Sequence, residues 1–202
     1  MTRSSNIYLA VEGIDGTGKT YVAKHIAEKF NFSIIREPSS GAIGQLIKDN
    51  SWNPTTDFFL FMADRASMLK ETEVEGNIVS DRSLYSSFAY QGYFLKNSFR
   101  DMKEYYNFFM NTAKLLPRLP THVFVLFCEV DVALERVTKR GEVSRFEQRE
   151  YLQGVQEIYF DLKKRMKNVT FIDSNGTLND LYQEVDKEVT RLLRLAHPPL
   201  KR

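Results

Sequence analysis

Apolar positions along the chain fall into two alternating patterns. Five short runs, at Ile7–Val11, Ser33–Ile35, Ile78–Ser80, Val123–Cys128 and Val169–Ile172, do not alternate polar with apolar residues. That predicts strands buried on both faces. Between them, apolar residues recur at helical spacing, as in Tyr151, Val155, Ile158, Leu162 and Met166, or Leu178, Leu181, Val185, Val189 and Leu192. Helix-start signals agree. Asn53-Pro54 offers an N-cap followed by proline, Asp131 an N-cap after the fourth run, and Ser144 to Glu147 a capping box, with a near version at Thr177 to Asp180. Strands alternating with helices predict an α/β fold, a doubly wound five-stranded parallel sheet flanked by helices with right-handed crossovers. No linker-like composition or repeat interrupts the 202 residues, so a single domain is expected, with flexible ends at 1–5 and 197–202.

Composition narrows the functional classes. The 28 Lys and Arg residues against 26 Asp and Glu leave a net charge of +2, which gives no support to a polybasic nucleic-acid binder. The single cysteine, Cys128, lies in an apolar run and reads as a buried thiol in a reducing compartment. No apolar run approaches the ~20 residues of a membrane span, and the N-terminus lacks a signal-like segment. A cytoplasmic protein without a membrane partner is expected.

In a doubly wound sheet, ligands bind beyond the carboxyl ends of the strands. The first such exit carries Gly13, Ile14, Asp15, Gly16, Thr17, Gly18, Lys19 and Thr20, a full match to G-x-x-x-x-G-K-[ST] between a strand and a helix. Glycines at 13, 16 and 18 let successive N–H groups face an anion, Lys19 reaches the terminal phosphates of a nucleoside triphosphate, and the Thr20 hydroxyl holds magnesium. Asp15 places a carboxylate among these amides, so it must accept a hydroxyl or help hold a cation. Gly16 and Thr17 put no cation inside the loop. A neutralising arginine must come from elsewhere.

Three further segments face the same rim. The second run ends in Arg36-Glu37-Pro38. The third ends in Asp81-Arg82, where Asp81 reads as the second magnesium anchor and Arg82 as a fork for another phosphate. Phe61 and Arg65, one helical turn apart, share a face. Spacing alone allows either a core ring with a surface charge, or a pocket wall that stacks a base and bonds its edge. After the fourth run, Lys139, Arg140 and Arg145 lie around Gly141, forming a basic lid at about 139–147. An arginine supplied to a transferring phosphoryl group is worth about 10³–10⁵ in rate.

Taken in order, "EGIDGTGKT", "REP", "ADR", "DRSLYSSFAYQG" and "KRGEVSRFE" resemble the thymidylate kinase family of nucleoside monophosphate kinases, over about residues 7–190. The resemblance implies a P-loop fold and the reaction of MgATP with dTMP to give ADP and dTDP. It implies that Asp15 contacts the sugar 3′-hydroxyl region, that Arg36 and Arg82 hold the acceptor phosphate, and that Phe61 stacks on thymine with Arg65 on its O4. Ser86 and Ser87 would lie beside the base, and Tyr90 would pack against the deoxyribose. Gly16, with Arg140 and Arg145, looks like the family type that carries its catalytic cations in the lid. A homodimer is implied too, with the aromatic "FFLF" and "YYNFF" segments able to supply its surface. The chain departs from the family pattern at Ser39-Ser40, Ser83 and Ser87. One rival is a deoxynucleoside kinase, which has no acceptor phosphate to bind and so no need of Arg36 and Arg82. A catalytically idle nucleotide switch would lack both acceptor pocket and lid.

Overall fold

The computed structural model describes residues 6–71, 76–139 and 149–196. Five strands, β1 (Tyr8–Gly13), β2 (Ser33–Arg36), β3 (Ile78–Asp81), β4 (His122–Phe127) and β5 (Val169–Asp173), form one parallel sheet in the order β2-β3-β1-β4-β5. From β1 the chain passes to the edge strand β2, returns to β3 beside β1, and then crosses to β4 and β5 on the other side, so β1 lies at the switch point where ligands are expected. Register sets the rim. Val11 pairs with Asp81, and Asp81 with Arg36, so the exits of β1, β3 and β2 lie level.

Alternation along β1 explains the two layers. Leu9 and Val11 pack with α1 (Lys19–Phe30) and α9 (Leu178–Ala196), through Val22, Ala23, Ile26, Leu181, Val185 and Val189. Ala10 belongs to the opposite layer, with α3 (Pro54–Glu71), α4 (Leu84–Tyr90), α6 (Met102–Ala113) and α8 (Arg149–Arg165). The shorter α2 (Ala42–Asp49) borders the rim through Ile47 and Lys48, α5 (Gly92–Leu95) follows α4, and α7 (Val130–Thr138) follows β4. Most side chains of the three central strands are fully buried, each worth about 1.5–3 kcal/mol if large and apolar.

Several sequence expectations hold in detail. Asn53 Oδ1 accepts from the Thr56 amide at the start of α3, and Thr177 and Asp180 cap α9 reciprocally. Others need correction. Strand β2 is an edge strand and is not buried on both faces; Ile34 is 45% exposed. Strand β5, at the other edge, is only partly covered. An apolar run reports β structure but not where the sheet stops. Glu129, not Asp131, is the N-cap of α7; Asp131 lies in the first turn, where its carboxylate takes both Arg149 Nε at 2.7 Å and Nη2 at 2.6 Å. Met166 falls one residue past α8. The capping box at 144–147, Arg140, Arg145 and both chain ends lie outside the described residues.

Candidate active site

The loop from Gly13 to Thr20 takes the form its glycines allow. Gly13, Gly16 and Gly18 have φ of 136°, 89° and 93°, a region that L side chains rarely adopt. Space is as restrictive as torsion: a Cβ on Gly13 would lie 2.2 Å from the Leu126 carbonyl oxygen, and one on Gly16 would lie 2.3 Å from that of Ala133 in α7. The empty cation position in the loop therefore has a steric cause, because α7 closes directly over it. Lys19 is buried, donating to the Ile14 carbonyl at 2.8 Å and to Asp15 at 3.4 Å. Burial, together with Arg82, depresses its ammonium from 10.5 to about 8, against the pull of Asp15, Asp81 and Glu12.

Beside it, the Thr20 hydroxyl donates to Asp81 Oδ2 at 2.7 Å, and Arg36 Nε lies 3.6 Å from the same oxygen. Among the described residues, no group of three or more His, Cys, Asp or Glu could cage a metal by itself. One hydroxyl and one carboxylate at a phosphate cradle are instead the donor set for Mg²⁺, which keeps waters and takes substrate phosphates as ligands. The residues fit that ion.

Asp15 and Arg82 meet across the mouth of the loop. Arg82 Nη2 donates to Asp15 Oδ1, the Tyr90 hydroxyl donates to Asp15 Oδ2 at 3.1 Å, and the Arg82 guanidinium lies 5.0 Å from the centre of the Tyr90 ring. Burial pushes the Asp15 carboxyl up, but Arg82, Lys19 and Tyr90 outweigh it and hold it well below the usual carboxylate range. Burial and Asp15 drive the Tyr90 phenol well above its ordinary value, so it remains a donor. Arg82 has φ of 73°, a left-handed backbone that costs a non-glycine residue about 1–3 kcal/mol. Its amide is held by the Val11 carbonyl at 3.0 Å.

On one side of this junction opens a cavity of about 420 Å³, walled by Phe61, Ile47 and Pro38, with Ser86, Ser87 and Tyr90 opposite. Asp15 and Arg82 line it and also line the cradle that holds Lys19, Thr20, Arg36 and Asp81. Two described residues singled out from the sequence are not brought to this junction: Lys139, whose ammonium instead pairs with Glu135 at 2.6 Å on the exposed face of α7, and Arg65. Arg65 is 1% exposed and does not line the cavity. Its guanidinium is taken by both oxygens of Glu37, with Nε at 2.8 Å from Oε1, and by the Ser83 carbonyl. It reaches the cavity wall through Ser87, whose hydroxyl oxygen lies 3.3 Å from Nη2. Phe61 thus stands in the cavity wall, and Arg65 touches that wall only through Ser87.

Two features escaped the sequence reading. On the other side of the loop, Gly16, Thr17, Gly18 and Tyr21 line a second cavity with Arg136, Ser174 and Gly176 to Leu178. Arg136 builds it, donating to the carbonyls of Ser174 at 2.7 Å and of Asn175 and Gly176 at 3.2 Å. The second feature is Glu12, wholly buried beneath the 83–86 turn. Its signal was an acid within an apolar strand.

A phosphate cradle at the switch point, flanked by a donor-side cavity and by a base-sized acceptor cavity with an arginine at the junction, defines a P-loop phosphotransferase of the nucleoside monophosphate kinase kind. Comparison with known proteins makes this narrower. The family model described as thymidylate kinase matches residues 11–185, and the chain belongs to the thymidylate kinase family. It is 32% identical to a probable thymidylate kinase of Methanosarcina mazei, covering 92% of this chain and 96% of that one. A probable thymidylate kinase of Methanosphaera stadtmanae is 33% identical, over 94% and 100% of the two chains. Among solved structures, the deoxyadenosine kinase of M. mycoides superposes with a TM-score of 0.68 over 92% of this chain and 100% of its own. At 19% identity that likeness speaks for the fold alone. Among the described residues, no helix is long and apolar enough to cross a membrane.

Proposed function

We propose that this protein transfers the γ-phosphate of ATP to dTMP, giving dTDP and ADP. The observation that carries the reading is the position of Asp15 and Arg82, which line both the phosphate cradle and the 420 Å³ cavity. An acceptor seated in that cavity has its phosphate end at the point where the donor's terminal phosphate ends.

Phosphoryl transfer asks little covalent chemistry of a protein; it asks that two anions be held in line and their repulsion cancelled. The loop amides and Lys19 hold the donor phosphates, while the cavity beside Arg136 receives the donor's base. Thr20 and Asp81 would hold Mg²⁺, which neutralises charge on the donor phosphates when bound. Arg82 forks onto the acceptor phosphate, with Arg36 as a second cation on the rim. Phe61 offers a face for thymine, Ser87 its hydroxyl, and Tyr90 with Asp15 the contacts to the sugar. Since Arg65 donates to Ser87 Oγ, the remaining Ser87 proton is free to be given to a base oxygen. Arg140 and Arg145 supply the lid charge in this scheme. The enzyme acts in the cytoplasm as a homodimer.

A coupled assay of ADP release with ATP, Mg²⁺ and a panel of acceptors tests the reading. Turnover is expected to be highest with dTMP. Faster turnover of thymidine than of dTMP would replace the reading by a deoxynucleoside kinase, and no ADP with any monophosphate would replace it by a nucleotide switch.

A further inference from the structure

Glu12 is an acid in the strand Tyr8–Gly13, with every residue of that strand buried. One carboxylate oxygen takes the Ser83 amide at 2.7 Å, the Ser83 hydroxyl at 2.6 Å and the Ser86 amide at 3.1 Å. The other takes the Ser86 hydroxyl at 2.6 Å and the Tyr159 phenol at 2.8 Å. All five groups donate, which suits an ionised carboxylate, an acceptor at both oxygens. Burial holds the carboxyl above its ordinary value, with the serines, Tyr159 and Arg82 opposing that shift.

These bonds converge on the turn that follows Arg82. The Arg82 amide is fixed by the carbonyl of Val11, and the next amide, that of Ser83, is fixed by Glu12. Two adjacent residues of β1 therefore pin the chain on both sides of a left-handed arginine. Such a conformation persists only where its surroundings over-determine it. Arg82 Nη1 also lies 3.3 Å from Ser86 Oγ, which itself donates to Glu12. Tyr159 belongs to α8, and Tyr151 of the same helix makes a separate bond to this region, its hydroxyl donating to the Tyr90 carbonyl at 3.0 Å.

A buried carboxylate with hydroxyl and amide donors but, among the described residues, no ion-pair contact is a costly way to hold a turn. Ser83 already caps α4 with its own side chain. We propose that Glu12 and Tyr159 are positioning residues of the phosphoryl transfer: Glu12 aims Arg82 at Asp15 and the acceptor phosphate, and Tyr159 ties that aim to α8. The inference rests on the dTMP kinase reading given above, in which Arg82 binds the acceptor.

Two variants test it. Tyr159→Phe removes one hydroxyl and keeps the ring; Glu12→Gln keeps the shape and removes the charge. In each, kcat/KM for dTMP is expected to fall roughly 10- to 100-fold, the scale of loss for a misplaced reacting group. KM for ATP is expected to stay within about twofold, and in an Arg82→Ala background either change should add less than about twofold, because the two act through one residue. Crystal structures of both variants without nucleotide should show Arg82 detached from Asp15. Full additivity with Arg82→Ala, or Arg82 unmoved on Asp15 in the variants, would overturn the inference. A wild-type enzyme inactive on dTMP would count against the assigned reaction alone, since the crystallographic readout needs no substrate. Should Glu12→Gln fail to fold, Tyr159→Phe carries the same outcomes.

Discussion

In the proposed reaction Lys19 must be charged to neutralise a donor phosphate, yet the fold it occupies depresses its ammonium to about 8. Between that value and the ordinary 10.5, the native chain binds fewer protons at this site than the unfolded chain does. Its contribution to stability therefore rises as pH climbs from about 8 toward 10.5; below pH 8 the buried ammonium costs stability. Activity runs the other way. The pH dependence of kcat/KM reports the free enzyme, so for ATP it is expected to fall about tenfold per pH unit above about pH 8. Bound phosphates favour the ammonium, which moves the corresponding fall in kcat to higher pH. Rate profiles from pH 7 to 10 check both limbs. Coincident limbs in kcat and kcat/KM would mean that nucleotide leaves the Lys19 environment unchanged.

Gly16 belongs to the contact between the phosphate loop and α7, and its constraint is one of elements meeting. A methyl group there would press on the Ala133 backbone and take φ of 89°, so Gly16→Ala is expected to destabilise the fold by about 1–3 kcal/mol and to abolish tight ATP binding. Thermal unfolding with and without ATP measures both; a wild-type Tm with a full ATP-induced shift would show that α7 yields. The same contact leaves no room for an arginine at position 16, and in the proposed reaction that role falls to Arg140 and Arg145. Replacing Arg140 and Arg145 together by alanine is expected to lower kcat about 10³-fold while KM for ATP changes far less. Equal losses in the two parameters would make those arginines simple ATP ligands.

What the sequence revealed at this scale depended on how local each interaction is. The loop glycines, Lys19, Thr20 and the Asp81-Arg82 pair were legible because their chemistry is written within a few residues. The tie from Glu12 to Ser83 spans 71 positions, and that to Tyr159 spans 147, so nothing in either segment announces the other. Arg136 gives no signal of its own in the sequence, because its partners are the carbonyls of residues 174–176, which only the β5–α9 connection brings to it. For Arg65 the spacing allowed a surface charge or a pocket wall, and it is neither, because Glu37, 28 residues away, takes its buried guanidinium.

Across the whole molecule, the aromatic residues divide between core and surface in a way that bears on assembly. Phe58 and Phe109 are buried, but Phe59 of α3 is 59% exposed and Phe108 of α6 is 37% exposed. Both exposed rings contact Phe58, at 5.4 Å and 5.9 Å between centroids, so they flank one buried ring and form a common apolar surface. Large exposed rings grouped in this way mark interaction sites more often than free surface. A second copy of this chain is the occupant proposed here. Light scattering of the purified protein should therefore give twice the 23.5 kDa chain mass. Phe59→Lys is expected to give a monomer, because a two-fold contact meets each substituted residue twice. Phe59 does not line the acceptor cavity, whereas Phe61 of the same helix does. The acceptor KM of the Phe59→Lys variant thus reads how far assembly steadies α3. A monomeric wild-type chain would leave the exposed phenylalanines without a partner of this kind. A dimer indifferent to Phe59→Lys would move the contact to another face.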